Sequence, residues 1–366
     1  MKNQHFETFL RSVAIVLMFF IALFTGSCSK DTQNNEVSNE QQTEIPNKKG
    51  TTTETAAVTS TCTSGCWIGA VNQASQQVEL YDRWITNWDD PSALHWSWKP
   101  TTALGFTSTE VSQWYNPNDF KIRYVSAWGG NYIAAAAGGG LVAISAYPSG
   151  VKKWAAFVGS SSTTNLHGIE LLPDGCVAVA VSTGDFIRVY KSSTGAATSA
   201  TATLNDAHQV LWDPQYDCLW AVGANMLQKY AVNTTGATPV LTLLTTYTIP
   251  TSWAHALGAM YGDTDKLYVA SNTNVYVFDK LAGTFTPAPG NLNMSHVKAI
   301  SNNPAGVVIR TRPDGDKVPI PASPSPGASW TTSYVDYYTP TGTYVASGHK
   351  TGASFYRGFV YNTLYQ

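Results

Sequence analysis

The chain has 366 residues, a formal net charge of −2, 13% charged residues and 29 glycines. A charge this close to zero supplies no basic field for a nucleic acid, which argues against that partner. The scarcity of Glu, Lys and Arg likewise argues against helical bundles, whose exposed faces need them, and points to an all-β, turn-rich fold.

The first residues read as an address. Lys2 and Arg11 flank a polar segment that leads into the apolar run 13–24, VAIVLMFFIALF. Twelve residues rise only about 18 Å as a helix against a hydrocarbon core of about 30 Å, so residues 1–27 are expected to be a signal peptide and not a span. Small residues in TGSCSKD precede Cys28 as in a bacterial lipobox, with Thr25 where Leu is commoner. Lipidation of Cys28 is expected, with plain secretion as the alternative. The CSKD start resembles lipoproteins of the Bacteroidota, which implies an outer-membrane lipoprotein displayed at the cell surface, or otherwise on the periplasmic face, and held to the membrane by its lipid alone. Residues 28–60 are polar and almost free of aromatics, so they cannot bury enough apolar surface to offset their ordering entropy; a flexible tether is expected.

The globular part is expected over 61–366. Cys62 and Cys66 in CTSGC are close enough for a small disulfide loop at its start. Residues 84–98 hold four tryptophans. Tryptophans in such folds mostly wedge between sheets, but their faces also stack on sugar rings, and Trp88 and Trp96 beside DDP are the candidates for that second role.

From residue 121 onward a unit recurs. An apolar run reaches a turn (PDG at 173–175, PQYD at 214–217, GDTD at 262–265, NNPAG at 302–306) and continues into second strands such as VAVAV, LWAVG and LYVAS. Third strands follow in FIRVYKSS, MLQKYAV and VYVFDK. Six units start near 66, 121, 165, 206, 253 and 294. A period near 40 with three or four strands per unit marks β-propeller blades, which stack because one small sheet cannot bury its own face. Six blades are expected, with seven as the alternative count. Cys176 and Cys218 open equivalent strands and are read as buried packing. The glycines of AAAAGGGLVA form a tight turn, residues 318–330 an insertion loop in the last blade, and ASFYRGFVYN a closing strand.

Four units begin with a histidine: His167, His208, His255 and His296, spaced by 41, 47 and 41 residues. In a propeller the innermost strand of each blade lines the central channel, so equivalent positions converge at one mouth. Arg123 stands ten residues before its second strand and is assigned the histidine's place in its unit; Glu170 and Lys298 lie close by in their strands. Four imidazoles without carboxylates suit either a divalent transition metal such as Zn or Mn, held by His167, His208, His255 and His296, or a small anionic ligand such as a uronate carboxylate. A histidine of near-neutral pKa could also remove the proton beside that carboxylate, the step of a polysaccharide lyase or another metal-assisted glycan-active enzyme, with Tyr124, Tyr132 and Tyr261 as candidate acids. The competing reading is structural: duplicated blades retain a histidine that bonds a neighbouring backbone.

NLHGIELLPDG, AHQVLWD, WAHALGAM, HVKAIS and FYRGF together resemble a family of secreted bacterial β-propellers with a domain of unknown function, over about residues 66–361. That family's pattern reads NxHSxE-LLPDG, AHGxxWD, a GHDL-type motif, a KSI-type motif and a terminal YKxRW. His167, Glu170, His208, Trp212, Asp213, His255 and Lys298 fall on its polar positions, and Arg357 near its terminal basic ones. Gly168, Gln209 and Ala256 depart from it, and the missing aspartate at 256 weakens a metal or acid–base role in that blade. A more distant likeness in architecture is to ulvan and oligogalacturonate lyases. The expectation is a monomeric cell-envelope propeller that binds an anionic glycan at a histidine-lined mouth, with or without cleaving it. The alternative is a non-catalytic protein-interaction module of the outer membrane.

Overall fold

The computed structural model describes residues 66–365. The expected signal peptide, the tether, Cys28 and Cys62 lie outside the described residues. Cys66 is disulfide-bonded.

Strings of Val, Ile, Ala and Tyr broken by Gly, Asn and Asp give twenty-four strands in six four-stranded antiparallel sheets, a six-bladed β-propeller. The innermost strands are β4 (Pro117–Val125), β8 (Leu166–Leu171), β12 (Ala207–Asp213), β16 (Ala256–Ala259), β20 (Ala299–Asn302) and β24 (Phe355–Val360). The last of these closes the ring. It pairs with β1 (Trp67–Asn72), so the blade that begins the fold receives its inner strand from the chain's end. The sequence expectation for ASFYRGFVYN holds.

Each blade buries its faces against its neighbours, and one apolar cluster occupies each of the six blade junctions. Burying a Val, Leu or Ile side chain is worth about 1.5–3 kcal/mol, so the ring is held by the sum of these junctions and not by any one sheet. Cys176 and Cys218 are buried free thiols within them.

The residues between β21 (Val308–Thr311) and β22 (Tyr334–Tyr338) form the insertion expected of the last blade. They leave at the end where the inner strands start, because Thr311 pairs with Ala299, the first residue of β20. Gly138–Gly140 make the tight turn between β5 (Gly130–Ala137) and β6 (Leu141–Ala146).

Candidate functional site

The inner strands carry a shared irregularity at their beginnings. The pairing register slips between Pro117 and Asp119, between Leu166 and Gly168, and between Ala207 and Gln209, leaving Asn118, His167 and His208 as bulge residues. A bulge adds one residue to a strand and re-aims its side chain. Two residues before each bulge the backbone is left-handed: Asn116 at φ 50°, Asn165 at 46° and Asp206 at 49°. Short Asx side chains tolerate that conformation best.

The same left-handed residue occurs at Trp253 (φ 64°) and His296 (φ 61°). Two positions on stand His255 and Lys298, whose N–H groups donate to Ala270 and Thr311, the partners of Ala256 and Ala299. Tyr356 takes the equivalent place in the closing blade, where Phe355 pairs with Asn72 and Gly358 with Ala70. The positions contributed by the six blades are therefore Asn118, His167, His208, His255, Lys298 and Tyr356.

Four of them form a contiguous arc. Ring centroids of His167 and His208 are 4.5 Å apart and those of His208 and His255 are 4.7 Å apart. Lys298 Nζ lies 3.4 Å from His255 Nε2. Tyr356 meets His167 edge-on at 5.9 Å. Nδ1 of His167 donates to Asn165 O at 2.8 Å and Nδ1 of His208 to Asp206 O at 2.7 Å, so the Nε2 of each is an unprotonated acceptor. His255 Nδ1 is buried and has no hydrogen-bond partner among the described residues.

Below the arc the channel is plugged. Arg357, fully buried on β24, donates through Nη1 to His167 O (2.6 Å), through Nη2 to His208 O (3.2 Å) and His255 O (2.8 Å), and through Nε to Lys298 O (3.1 Å). Its guanidinium lies 3.6 Å from Asp119 Oδ2, which also accepts from Ile169 N and from Gln209 Nε2. Gln209 Oε1 accepts from Leu257 N at 2.9 Å. Gly168 is required here, because a Cβ would stand 2.7 Å from His208 O.

Burial holds all three imidazoles neutral. It lowers His208 to about 3, against the hydrogen bond from its own ring to Asp206 and with help from Arg357 and Lys298. His167 and His255 fall well below the usual histidine value through burial first, then through His208 and Arg357 for one and Lys298 and His208 for the other. A near-neutral histidine base, expected from the sequence, is not what this environment leaves.

A family model matches residues 82–316; its description is a family of unknown function, DUF6528. The chain belongs to DUF6528. The match covers five of the six ring positions. A solved structure of a protein of unknown function from Bacteroides caccae is similar at 9% identity and a TM-score of 0.54, covering 81% of this chain and 98% of that one, which shows the fold alone. No curated protein matches the chain.

In this DUF6528 propeller the structure gathers His167, His208, His255 and Lys298 and separates the other sequence candidates from them. His296 is the left-handed residue before the bulge, and its Nδ1 faces Asp316 Oδ1 at 3.0 Å. The repeat alignment matched histidine to histidine, but the backbone places Lys298 in register. Arg123 sits at the far end of β4 and forms a bidentate pair with Glu170, Nε to Oε1 at 3.0 Å and Nη2 to Oε2 at 3.1 Å. Tyr261 and the carbonyls of Asn362 and Leu364 complete that opposite mouth. Tyr124 is exposed, and Tyr132 packs edge-on against Trp128.

Among the described residues no group of three or more His, Cys, Asp or Glu side chains is placed to hold a metal ion. With His296 facing Asp316, the expected Zn or Mn set keeps three imidazoles, and Lys298 takes the fourth blade's position. Trp88 is 1% exposed and stacks on Tyr81 with centroids 4.2 Å apart; a Cβ on Gly348 would come within 2.1 Å of it. Trp96 packs edge-on against Tyr147 and donates to Pro148 O. Trp88 is thereby a wedge in the fold, whereas Trp96 is half-buried with its N–H committed. Asn118, Asp119 and Tyr356 were not singled out in the sequence, and Gln209 only as a departure from the family pattern, although an Asn or Asp two residues before the ring position is a readable signal in three blades.

Proposed function

We propose that this mouth binds an acidic saccharide without cleaving it. Lys298 receives the carboxylate, and the neutral Nε2 atoms of His167 and His208 accept hydrogen bonds from sugar hydroxyls. The observation that carries this reading is the arc itself: an ammonium 3.4 Å from one imidazole, continuous with two imidazoles whose tautomers are fixed as acceptors. The half-buried setting strengthens a charge-assisted bond, since less water competes for the carboxylate. Imidazoles held far below neutral pKa are poor general bases, which favours binding over elimination. Lipidation of Cys28 would hold the mouth at the outer membrane, where acidic polysaccharides are met.

The test is calorimetric titration of the protein with glucuronate-, galacturonate- and mannuronate-containing oligosaccharides and their neutral counterparts. At least one acidic oligosaccharide should bind tenfold or more tightly than its neutral form, and Lys298→Met should remove that preference. Equal affinity for acidic and neutral forms would overturn the reading, as would formation of an unsaturated product absorbing near 235 nm in the case of simple binding.

A further inference from the structure

We infer that Trp330 is a stacking platform at the same mouth, which makes the ligand a pyranose-bearing chain and not a small carboxylate; this rests on the binding reading above. Trp330 lies in the insertion of the last blade, on the side where the histidine arc opens. The insertion is fixed in place by Asp314. This fully buried carboxylate accepts from Ser325 N and Ser333 N (both 2.8 Å), Ser333 Oγ (2.9 Å) and Thr332 Oγ1 (2.6 Å), and lies 3.0 Å from Lys317 Nζ. A Trp on such a loop does not swing freely.

Trp330 is 51% exposed, yet its indole N–H is committed. Trp330 Nε1 donates to Gln73 Oε1 at 3.0 Å, Gln73 Nε2 donates to Asn118 Oδ1 at 3.0 Å, and Asn118 Nδ2 donates to Leu166 O at 2.6 Å. Asn118 is the ring position of its blade and Leu166 directly precedes His167. Three hydrogen bonds thus join the exposed indole to the backbone of the arc, across the blade that closes the ring. The insertion and the ring positions share one end of the propeller, and these bonds tie Trp330 to that end through Gln73 and Asn118.

An indole that is oriented, half exposed and already satisfied at its polar atom has only its apolar face to offer. That face matches the C–H side of a pyranose, while the carboxylate and hydroxyl edge reaches the arc. Trp84 is more exposed, at 66%, but it follows Asp82, which pairs with Trp67 at the other end of its blade from Gln73.

The experiment compares wild type, Trp330→Ala and Trp330→Phe against the acidic oligosaccharides above and against acetate, a carboxylate without a ring, followed by imidazole nitrogen chemical shifts. Trp330→Ala should bind the acidic oligosaccharide roughly tenfold more weakly, a change of about 1.4 kcal/mol. Trp330→Phe should retain most of the affinity, and acetate should perturb the imidazoles equally in all three proteins. Unchanged oligosaccharide affinity in Trp330→Ala, with binding intact in wild type, overturns the stacking role and leaves the mouth reading standing. Loss of affinity for acetate as well would show that the substitution damages the arc itself, which also overturns stacking. Failure of wild type to bind any acidic oligosaccharide overturns the reading of the mouth and this inference with it.

Discussion

Arg357 Nη1 donates to the carbonyl oxygen of His167 at 2.6 Å, across 190 residues of sequence. The same guanidinium holds the carbonyls of His208, His255 and Lys298, so one side chain on the closing strand fixes the backbone beneath every member of the arc. The strand that shuts the ring and the residue that centres the site are the same element.

Replacing this residue should damage stability and binding together. Arg357→Met removes the donor to four inner-strand carbonyls and one of the two cations beside buried Asp119, which keeps Lys121, and a loss of about 3–5 kcal/mol is expected from urea unfolding. Arg357→Lys should be nearly as harmful, because a point-like ammonium cannot reach four carbonyls arranged around a planar fork. Wild-type stability in Arg357→Lys would show that the plug is not what organises the channel.

Lys298 and His296 offer a direct contrast. Lys298→Met should abolish the preference for acidic over neutral oligosaccharide, while His296→Ala should leave it unchanged, because His296 faces Asp316 outside the arc. Titration calorimetry on the two variants decides the matter. Equal losses would mean that the repeat alignment by histidine describes the site better than the backbone register does.

Acid should destabilise the fold. His208 titrates near 3 in the folded protein against about 6.5 unfolded, so between those values the unfolded chain binds more protons and stability falls as pH falls. Each pH unit below 6.5 costs about 1.4 kcal/mol for this residue, with further losses in the same direction from His167 and His255. Asp206 acts in the opposite sense. Burial pushes its carboxyl up to about 6, so it favours the folded state as pH falls from about 6 towards 3.8. Three imidazoles outweigh one carboxyl, and urea midpoints measured from pH 7.5 to 4.5 should decline. A flat profile, or replacement of His208 by Gln leaving the slope unchanged, would contradict this account.

The two kinds of tryptophan should separate cleanly. Trp88→Ala opens a cavity between Tyr81, Phe355 and Gly348 and should cost about 3–5 kcal/mol in thermal or urea unfolding, with ligand affinity of the folded protein intact. Little loss of stability would mean that the junction tolerates collapse around the missing ring.

The lipidation of Cys28 proposed above gives a last expectation. If acyl chains on Cys28 supply a membrane anchor, Cys28→Ala should move the protein from the membrane to the soluble fraction on cell fractionation. Retention in the membrane fraction would point to another means of attachment.

The blades were legible in the sequence because their cause is local. Strand and turn chemistry repeats about every 40 residues in one linear text, and FYRGFV reads as a closing strand awaiting partners. The arc was only partly legible. His167, His208 and His255 share both a histidine and the preceding register, so alignment by residue type succeeded there. It failed at SHVKAI, where the histidine occupies the left-handed position and the lysine two residues on takes the ring. It failed again at Arg123, which lies four residues beyond Asp119 on β4 and so belongs to the other mouth with Glu170. Tryptophan exposure was illegible for a different reason: Trp88 and Trp330 sit in turns and Trp96 on a strand (Leu94–Trp98), and only packing distinguishes their exposure.

The sequence by itself determined a ring of β-blades, six favoured over seven, its closing strand and the histidines that recur along it, because hydrophobic period and turn residues act over a few positions. Tertiary structure decided which residue of each repeat faces the axis. A bulge shifts a strand's register by one residue and a left-handed residue turns the chain before it, and each depends on hydrogen bonds to strands and carbonyls far away in sequence. Arg357 acquires its role only once the ring has closed, since the carbonyls it holds come from four other blades.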